Sequence, residues 1–258
     1  MSSLAGVIFL VFYLIMHISG DEITREKCEA SHAHREYLST ADSAPSRVPP
    51  LLYTFPGSGN TWVRMLIEYA SGVHTGSVYR DGKIQMVMPG EEYCSHAVSA
   101  VKAHPVHFSG LVVTGVNTSE QVEMETRLRD GVKLRPLPSK CTAASPPVTR
   151  FKRAVLLVRN PFACMYSESV RQLTHLHAGA PSVGEFLKNS MHSRFLLKMN
   201  ALAKQYGAMW AHYGHVTRVL GTENVMFIKY ETLLKEASRE DALRRIMAFL
   251  DVPNHPVR

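Results

Sequence analysis

The feature that most restricts the fold is a glycine-containing loop, Phe55-Pro-Gly-Ser-Gly-Asn-Thr-Trp62, between an apolar run and a helical pattern. The run Leu51–Phe55 is short and continuous, which predicts a buried strand. Residues Thr61–Ala70 repeat apolar side chains at helical spacing, and Gly72 follows them as a usual helix end. We therefore predict that the folded domain starts at Leu51 with a strand, a tight loop and a helix.

The composition of this loop favours anion binding. Gly57 and Gly59 allow a tight backbone turn in which successive N–H groups converge. Ser58, Asn60 and Thr61 add side-chain donors, and the helix that follows adds the positive end of its dipole. A plain strand-to-helix turn uses the same residue types, but this loop follows a predicted strand, where open α/β sheets bind ligands. It is not a nucleoside-triphosphatase loop, because the lysine of GxxxxGK[ST] is absent.

Strand and helix patterns alternate along the rest of the chain. Ala154–Val158 is the clearest buried strand, and Asn160-Pro161 after it predicts a helix that runs toward His175. This alternation predicts an α/β fold with a mainly parallel central sheet in a single domain. The other predicted elements are strands at Ala97–Ala103, Leu111–Thr114 and Val225–Ile228, a long helical region from Ser182 to Leu220, and a helix at Leu233–Leu250.

Residues 1–20 have the character of a targeting segment. Leu4–Ile18 carries no formal charge, and with its flanks it approaches the ~20 apolar residues of a membrane span. A signal anchor fits this segment, as does a signal peptide cleaved after the small residues Ser19-Gly20. A buried helix is the remaining alternative. Residues 21–50 are polar and predict a stem or linker, so the domain is predicted to cover residues 51–258.

Charge and cysteine content limit the ligands that this chain is expected to bind. Lys and Arg total 29 against 22 Asp and Glu, a formal charge of +7, which suits an anionic ligand. The excess contains no run of five or six like charges, so we predict no nucleic-acid partner. Cys28, Cys94, Cys141 and Cys164 lack metal-ligand spacing, so no metal site is predicted. In an oxidising compartment they allow three full pairings, and the Asn117-Thr118-Ser119 sequon agrees with such a location.

Two further motifs lie at the ends of predicted strands. In Lys102-Ala-His104, the imidazole can accept a proton from a hydroxyl and the lysine can stabilise developing negative charge. Arg159 offers a fork of donors to a phosphate, and Ser167, eight residues later, can reach the same group. Each motif alone is weak, because polar residues at strand ends are common without any function.

The order of these motifs along the chain resembles that of the sulfotransferase family. Within that family, the chain is most similar to the Golgi membrane branch that includes WSC-domain-containing sulfotransferases. We expect no WSC domain here, because only the short stem precedes the predicted domain. The similarity is carried by Tyr53–Tyr79, by VKAH at Val101–His104, by LLVRNPFACMYS at Leu156–Ser167, and by KYETLL at Lys229–Leu234 followed by RIMAFLDV.

This resemblance implies a P-loop-like three-layer sandwich that transfers sulfonate from 3′-phosphoadenosine 5′-phosphosulfate to a glycan hydroxyl, sialic acid being one candidate. It implies His104 as the general base and Lys102 at the sulfonate. It also implies a Golgi membrane protein, single-pass type II with a lumenal domain, or one secreted after signal cleavage, acting on a glycan or glycoprotein without a metal. The implied donor-binding residues are Gly57, Ser58, Gly59, Asn60, Thr61 and Trp62 at the phosphosulfate end, Arg159 and Ser167 at the 3′-phosphate, and Tyr230 in the nucleotide pocket. Trp62 is also implied to lie near the adenine.

Three departures from the family pattern leave other functions open. Gly57 stands where cytosolic relatives have Lys or Arg, with Lys102 or Arg64 as replacement cations, and Ala103 replaces a threonine. The chain ends at Arg258, before the family's C-terminal loop, so we expect a fragment or shortened product with weakened donor binding. The alternative is then a non-catalytic, membrane-tethered nucleotide-binding module. A small-molecule kinase is a third hypothesis, although no Mg²⁺ carboxylate is evident. The acceptor and the oligomeric state are not readable from the sequence.

Overall fold

The computed structural model of the chain describes residues 35–38, 48–104, 151–174 and 189–253. The body described below belongs to residues 36–258, one of the two compact units into which the chain divides. The apolar segment Leu4–Ile18, the predicted strand Leu111–Thr114, the sequon and Ser182 lie outside the described residues.

A parallel sheet forms the centre of this body. Within the described residues it has five strands in the order β2-β3-β1-β4-β5, and every neighbouring pair is parallel. The mainly parallel sheet predicted from the alternation of patterns is therefore confirmed. The strands are β1 (Leu51–Thr54), β2 (Gly76–Ser77), β3 (Val101–Ala103), β4 (Ala154–Val158) and β5 (Val225–Lys229).

Helices connect the strands and cover both faces of the sheet. The α-helices of the described residues are α1 (Asn60–Ser71), α2 (Gly82–Gln85), α3 (Pro161–Thr174), α4 (Asn189–Leu220), α5 (Tyr230–Leu234) and α6 (Glu236–Leu250). Short 3-10 helices lie at Pro89–Glu92 and Thr222–Asn224.

The core consists of two layers, one on each face of the sheet. Successive strand residues point to opposite faces, so Leu51 and Tyr53 pack with residues of α3 and α4, whereas Leu52 packs with residues of α1 and α6. β1 and most of β4 are fully buried because both of their faces are covered. This arrangement is the predicted three-layer sandwich.

Among the predicted elements that lie within the described residues, two differ from the structure by more than one terminal residue. The predicted strand Ala97–Ala103 is extended only over Val101–Ala103, because the Ser99 backbone N–H and hydroxyl both donate to the His74 carbonyl (2.8 and 3.1 Å). The predicted helix Leu233–Leu250 is interrupted at Lys235. There the Ser238 hydroxyl donates to a carbonyl of α5, that of Thr232, at 2.8 Å, which ends α5 and starts α6.

Residues 36–38, from the segment predicted to be a stem, pair with the sheet-bearing body. The Glu36 N–H donates to the Gly72 carbonyl at 2.8 Å, and the Glu36 carbonyl accepts from the His74 N–H at 3.1 Å. The Leu38 N–H donates to the Ala97 carbonyl at 2.9 Å. This part of the predicted stem therefore has a fixed path along the domain.

The two cysteines among the described residues are in different chemical states. Cys94 is in a disulfide whose partner lies outside the described residues, and Cys164 is a buried free thiol. The full pairings that the sequence allows are therefore excluded, because Cys164 is not bonded. Burial raises the pKa of the Cys164 thiol to about 12, so it is almost entirely protonated at neutral pH.

These states predict the pattern of thiol labelling. In the native protein, a maleimide should leave Cys164 unlabelled, because the thiol is buried and protonated. In denaturant without reductant, Cys164 should be labelled and Cys94 should not, and added reductant should expose Cys94. Peptide mass spectrometry reads each site. Labelling of Cys94 without reductant would contradict the disulfide.

Two properties of the described residues bear on membranes and metals. None of their helices is both long enough and apolar enough to span a bilayer. They also contain no group of three or more His, Cys, Asp or Glu side chains positioned to hold a metal ion.

Candidate functional site

Several candidate residues of the site come directly after strands, at the carboxyl edge of the described sheet. The glycine loop follows β1, His104 follows β3, and Arg159 follows β4. Because β3 and β4 are the two neighbours of β1, His104 and Arg159 lie on opposite sides of the loop. Tyr79 comes shortly after β2 and Tyr230 directly after β5, so the motifs predicted to act together share the carboxyl edge of the sheet.

Two glycines of the loop have backbone angles that other residues rarely adopt. Gly57 has φ 78° and Gly59 has φ 82°, both in the left-handed region. A Cβ at Gly57 would lie 2.2 Å from the Cys164 carbonyl oxygen, and one at Gly59 would lie 2.3 Å from the Tyr230 ring. The structure thus explains the absence of a lysine or arginine at Gly57, since no side chain fits there.

Some polar side-chain atoms of the loop are hydrogen-bonded within the protein, and others have no partner among the described residues. The Asn60 amide donates to the Thr54 hydroxyl at 2.9 Å, toward the end of β1. The Ser58 hydroxyl and the side-chain amide oxygen (Oδ1) of Asn60 are buried and have no hydrogen-bond partner among the described residues. Buried polar atoms are normally hydrogen-bonded, so these two atoms suit contacts to a ligand. Thr61 and Trp62 are half-buried in the first turn of α1.

Arg159 connects the loop to the two other residues predicted to bind nucleotide. Its guanidinium donates to the Gly57 carbonyl at 2.7 Å and to the Ser167 hydroxyl at 3.2 Å. The guanidinium carbon lies 4.5 Å from the centre of the Tyr230 ring, and that ring contacts the Trp62 ring edge to face with centroids 5.2 Å apart. The structure therefore brings the predicted 3′-phosphate pair and both predicted nucleotide-pocket aromatics beside the loop.

His104 is held by the end of β1. Its Nδ1 lies 2.7 Å from the Thr54 carbonyl oxygen and 3.1 Å from the Thr54 hydroxyl. A carbonyl oxygen only accepts hydrogen bonds, so Nδ1 carries the proton and the lone pair of the neutral ring is on Nε2. The His104 backbone N–H donates to the Tyr79 hydroxyl at 3.0 Å, and the two rings stack with centroids 5.5 Å apart. Burial raises the pKa of Tyr79, which keeps this phenol neutral.

The Lys102 side chain also lies close to the Tyr79 ring. Its Nζ lies 5.6 Å from the centre of the Tyr79 ring and 4.0 Å from Glu91 Oε1. Arg64, by contrast, is fully buried and bound to Glu91 and Thr75, so the expectation that it could replace the missing cation is wrong. Lys102 remains the candidate for that role.

Three residues of the site were not predicted from the sequence. Thr54 reads only as the end of an apolar strand, and Tyr79 is the last residue of the segment that resembles the family. Glu91 lies in a stretch, Arg80–Tyr93, that has no recognisable motif. Only the pairing of β1 with β3 brings Thr54 to His104, and only the fold of the Arg80–Tyr93 stretch brings Glu91 to Lys102.

Comparison with known proteins gives matches over most of the chain. A family model described as a sulfotransferase domain matches residues 49–257. The WSCD family member CG9164 of Drosophila melanogaster is 28% identical over 219 residues, which cover 83% of this chain and 55% of that protein. The WSCD family member AAEL009094 of Aedes aegypti is 27% identical over 213 residues, 82% of this chain and 53% of that protein. The chain thus spans about half the length of the curated relatives it matches.

Proposed function

The chain belongs to the sulfotransferase family, and we propose that it moves a sulfonate group from 3′-phosphoadenosine 5′-phosphosulfate to a hydroxyl group of a glycan. The observation that carries this proposal is the position of His104, whose Nδ1 lies 2.7 Å from the Thr54 carbonyl oxygen. Its Nδ1–H is directed at the Thr54 carbonyl, so Nε2 can accept a proton beside a loop suited to an anion.

His104 acts as the general base. Its Nε2 accepts the proton of the acceptor hydroxyl as the hydroxyl oxygen forms its bond to sulfur and the bond from sulfur to the donor's phosphate oxygen breaks. Thr54 and Tyr79 hold the ring from two sides, which fixes the orientation of the lone pair before the acceptor arrives.

The loop and Lys102 stabilise negative charge. The donor and the leaving nucleotide are both anions, and the loop offers backbone N–H groups, the Ser58 hydroxyl and the N-terminus of α1. Lys102 contributes a cation on the His104 side of the loop. Positioning and charge stabilisation are the main contributions that a protein makes to transfer of this kind.

The residues beyond the loop fit a 3′-phosphorylated nucleotide. Arg159 and Ser167 already share a hydrogen bond and can both turn donors to one phosphate. Trp62 and Tyr230 form an aromatic pair next to them, which suits a purine ring. Arg159 is also bonded to Gly57, so a phosphate held there would be linked directly to the loop.

The proposed location is the lumen of the Golgi, with residues 1–20 as the anchor or as a cleaved signal. The Cys94 disulfide supports an oxidising compartment. The glycan acceptor rests on the resemblance to the Golgi branch of the family, and sialic acid stays one candidate sugar.

Sulfonate transfer from sulfur-35-labelled donor to a pool of secreted glycans tests the proposal, with calorimetric binding of adenosine 3′,5′-bisphosphate alongside. We expect both binding and transfer. Binding without transfer to any acceptor would favour the nucleotide-binding module, and consumption of nucleoside triphosphate with Mg²⁺ would favour a kinase.

Replacing Arg159 tests the assignment of the 3′-phosphate. Arg159→Ala should weaken binding of adenosine 3′,5′-bisphosphate about tenfold more than binding of adenosine 5′-phosphosulfate, which lacks the 3′-phosphate, because a charge-assisted hydrogen bond is lost. Calorimetry measures both affinities. Arg153→Ala is the matched control, since that guanidinium packs on the Phe249 ring instead. Equal losses for the two ligands would mean that Arg159 acts only through its bond to Gly57.

A further inference from the structure

Beneath His104 lies a group of three charged side chains, two of which the proposed reaction does not use. They are Arg64 on α1, Glu91 in the Pro89–Glu92 helix and Lys102 on β3. Arg64 and Glu91 are fully buried, and Lys102 is 6% exposed. Charged residues are almost never buried so deeply unless they are paired. These three side chains therefore need partners of opposite charge inside the protein.

One carboxylate serves both cations. Glu91 Oε2 accepts from Arg64, and Glu91 Oε1 faces the Lys102 ammonium at 4.0 Å. Arg64 is fixed independently, because it also donates to the Thr75 hydroxyl at 2.8 Å and to the Thr75 carbonyl at 3.1 Å. The Thr75 hydroxyl in turn donates to the buried Glu68 carboxylate at 2.6 Å, so a second carboxylate also lies near Arg64.

Tyr79 connects this group to His104, because both Lys102 and His104 contact it. The Lys102 ammonium lies between Glu91 and the face of the Tyr79 ring, while the Tyr79 hydroxyl accepts the His104 N–H. Only the Tyr79 side chain therefore separates Lys102 from His104, and a change in the charge of Lys102 takes place close to the base.

We propose that Glu91 is a positioning residue that keeps Lys102 protonated and directed at the transferring sulfonate, with Arg64 acting in the opposite sense. This inference rests on the proposed function, since it assigns a purpose to the charge on Lys102.

The expected effect of each neighbour has a definite sign. Burial lowers the pKa of Lys102, Glu91 raises it and Arg64 lowers it. A lysine that must be protonated loses its contribution as pH rises through its pKa, so it sets the alkaline limit of activity. Among the residues that the structure describes, the charged and titratable groups near Lys102 are Glu91, Arg64, Asp81, which raises the pKa, Arg171, which lowers it, and the phenol of Tyr79.

The test compares pH profiles of turnover in variants that change one charge each. Glu91→Gln should move the alkaline limb to lower pH, and Arg64→Met should move it to higher pH. The acid limb should stay in place in both variants. If Glu91 and Arg64 served folding alone, the two changes would lower turnover at every pH and would not move the alkaline limb in opposite directions. Unmoved alkaline limbs in both variants would overturn the proposal.

Two additional variants keep the result interpretable if a single change impairs folding. Glu91→Gln combined with Arg64→Met removes both buried charges, and its alkaline limb should lie below that of the wild type, because Glu91 influences Lys102 more than Arg64 does. Lys102→Arg keeps its charge at all relevant pH values, so adding Glu91→Gln to it should displace no limb.

A second readout separates this inference from the proposed function. The Cε resonance of Lys102, assigned by its loss in Lys102→Arg, reports the protonation of the ammonium without any turnover. Glu91→Gln should shift its titration to lower pH and Arg64→Met to higher pH. An identical titration in Glu91→Gln and wild type refutes the inference, whereas absence of sulfonate transfer with the expected shifts refutes only the proposed function.

Discussion

Replacing His104 with alanine is expected to lower turnover by ~10²–10⁴-fold, the usual contribution of a positioned general base, while donor affinity stays nearly unchanged. Without the imidazole, the acceptor hydroxyl keeps its proton and remains a poor nucleophile. The measurement is the initial rate of sulfonate transfer to a glycan pool, with calorimetric binding of adenosine 3′,5′-bisphosphate on the same preparations.

A second histidine provides the control for this experiment. His96→Ala changes the segment before β3, outside the group that surrounds His104, and should keep close to full turnover. Full activity of His104→Ala, or an equal loss in His96→Ala, would show that another group accepts the proton.

Replacing Gly59 with alanine is expected to weaken nucleotide binding by ~10–100-fold, or roughly 1.4–2.8 kcal/mol. The new Cβ would meet the Tyr230 ring at 2.3 Å in a left-handed backbone conformation. The ring must move, and the contact between Tyr230 and Arg159 is lost with it. Because the obstruction is a side chain, the domain should still fold, which circular dichroism can verify.

Glycines elsewhere separate a local effect from a general one. Gly214 lies in α4, and a Cβ there would meet no atom within 4 Å. Gly214→Ala should therefore leave nucleotide affinity unchanged and should stabilise the helix by up to about 1 kcal/mol. Gly57→Ala should disturb folding itself, because its Cβ would collide with the Cys164 backbone. Wild-type affinity in Gly59→Ala would remove the loop from the nucleotide site.

The fold was predictable wherever burial leaves a pattern in the chain. Ala154–Val158 has the predicted bounds, because a strand covered on both faces requires a continuous apolar run. β2 was not predicted, since its two residues, Gly76 and Ser77, carry no apolar signal and are ordered by pairing with β3. The interruption at Lys235 depends on side chains that bond to carbonyls of α5, which no hydrophobic period reveals.

The residues of the site were likewise predictable only in part. Its glycine loop, His104 and Arg159 each follow a strand, and Lys102 lies near the end of one, so topology alone predicts that they meet at one edge. The partners that set their chemical state come from other places in the chain. The Thr54 carbonyl that orients His104 belongs to a backbone group present in every residue, and Glu91 reaches Lys102 only after its loop has folded.

The central place of β1 has a consequence for how the chain folds. Leu51 pairs with Val101 on one side and with Ala154 on the other, so about 50 and about 100 residues separate β1 from its neighbours. During synthesis, β1 remains an apolar strand without its second neighbour until β4 has left the ribosome. Contacts between such distant residues close slowly, and an exposed strand edge invites aggregation in the interval. Variants that weaken β4 should therefore lower the yield of folded protein more than they lower the stability of the molecules that do fold.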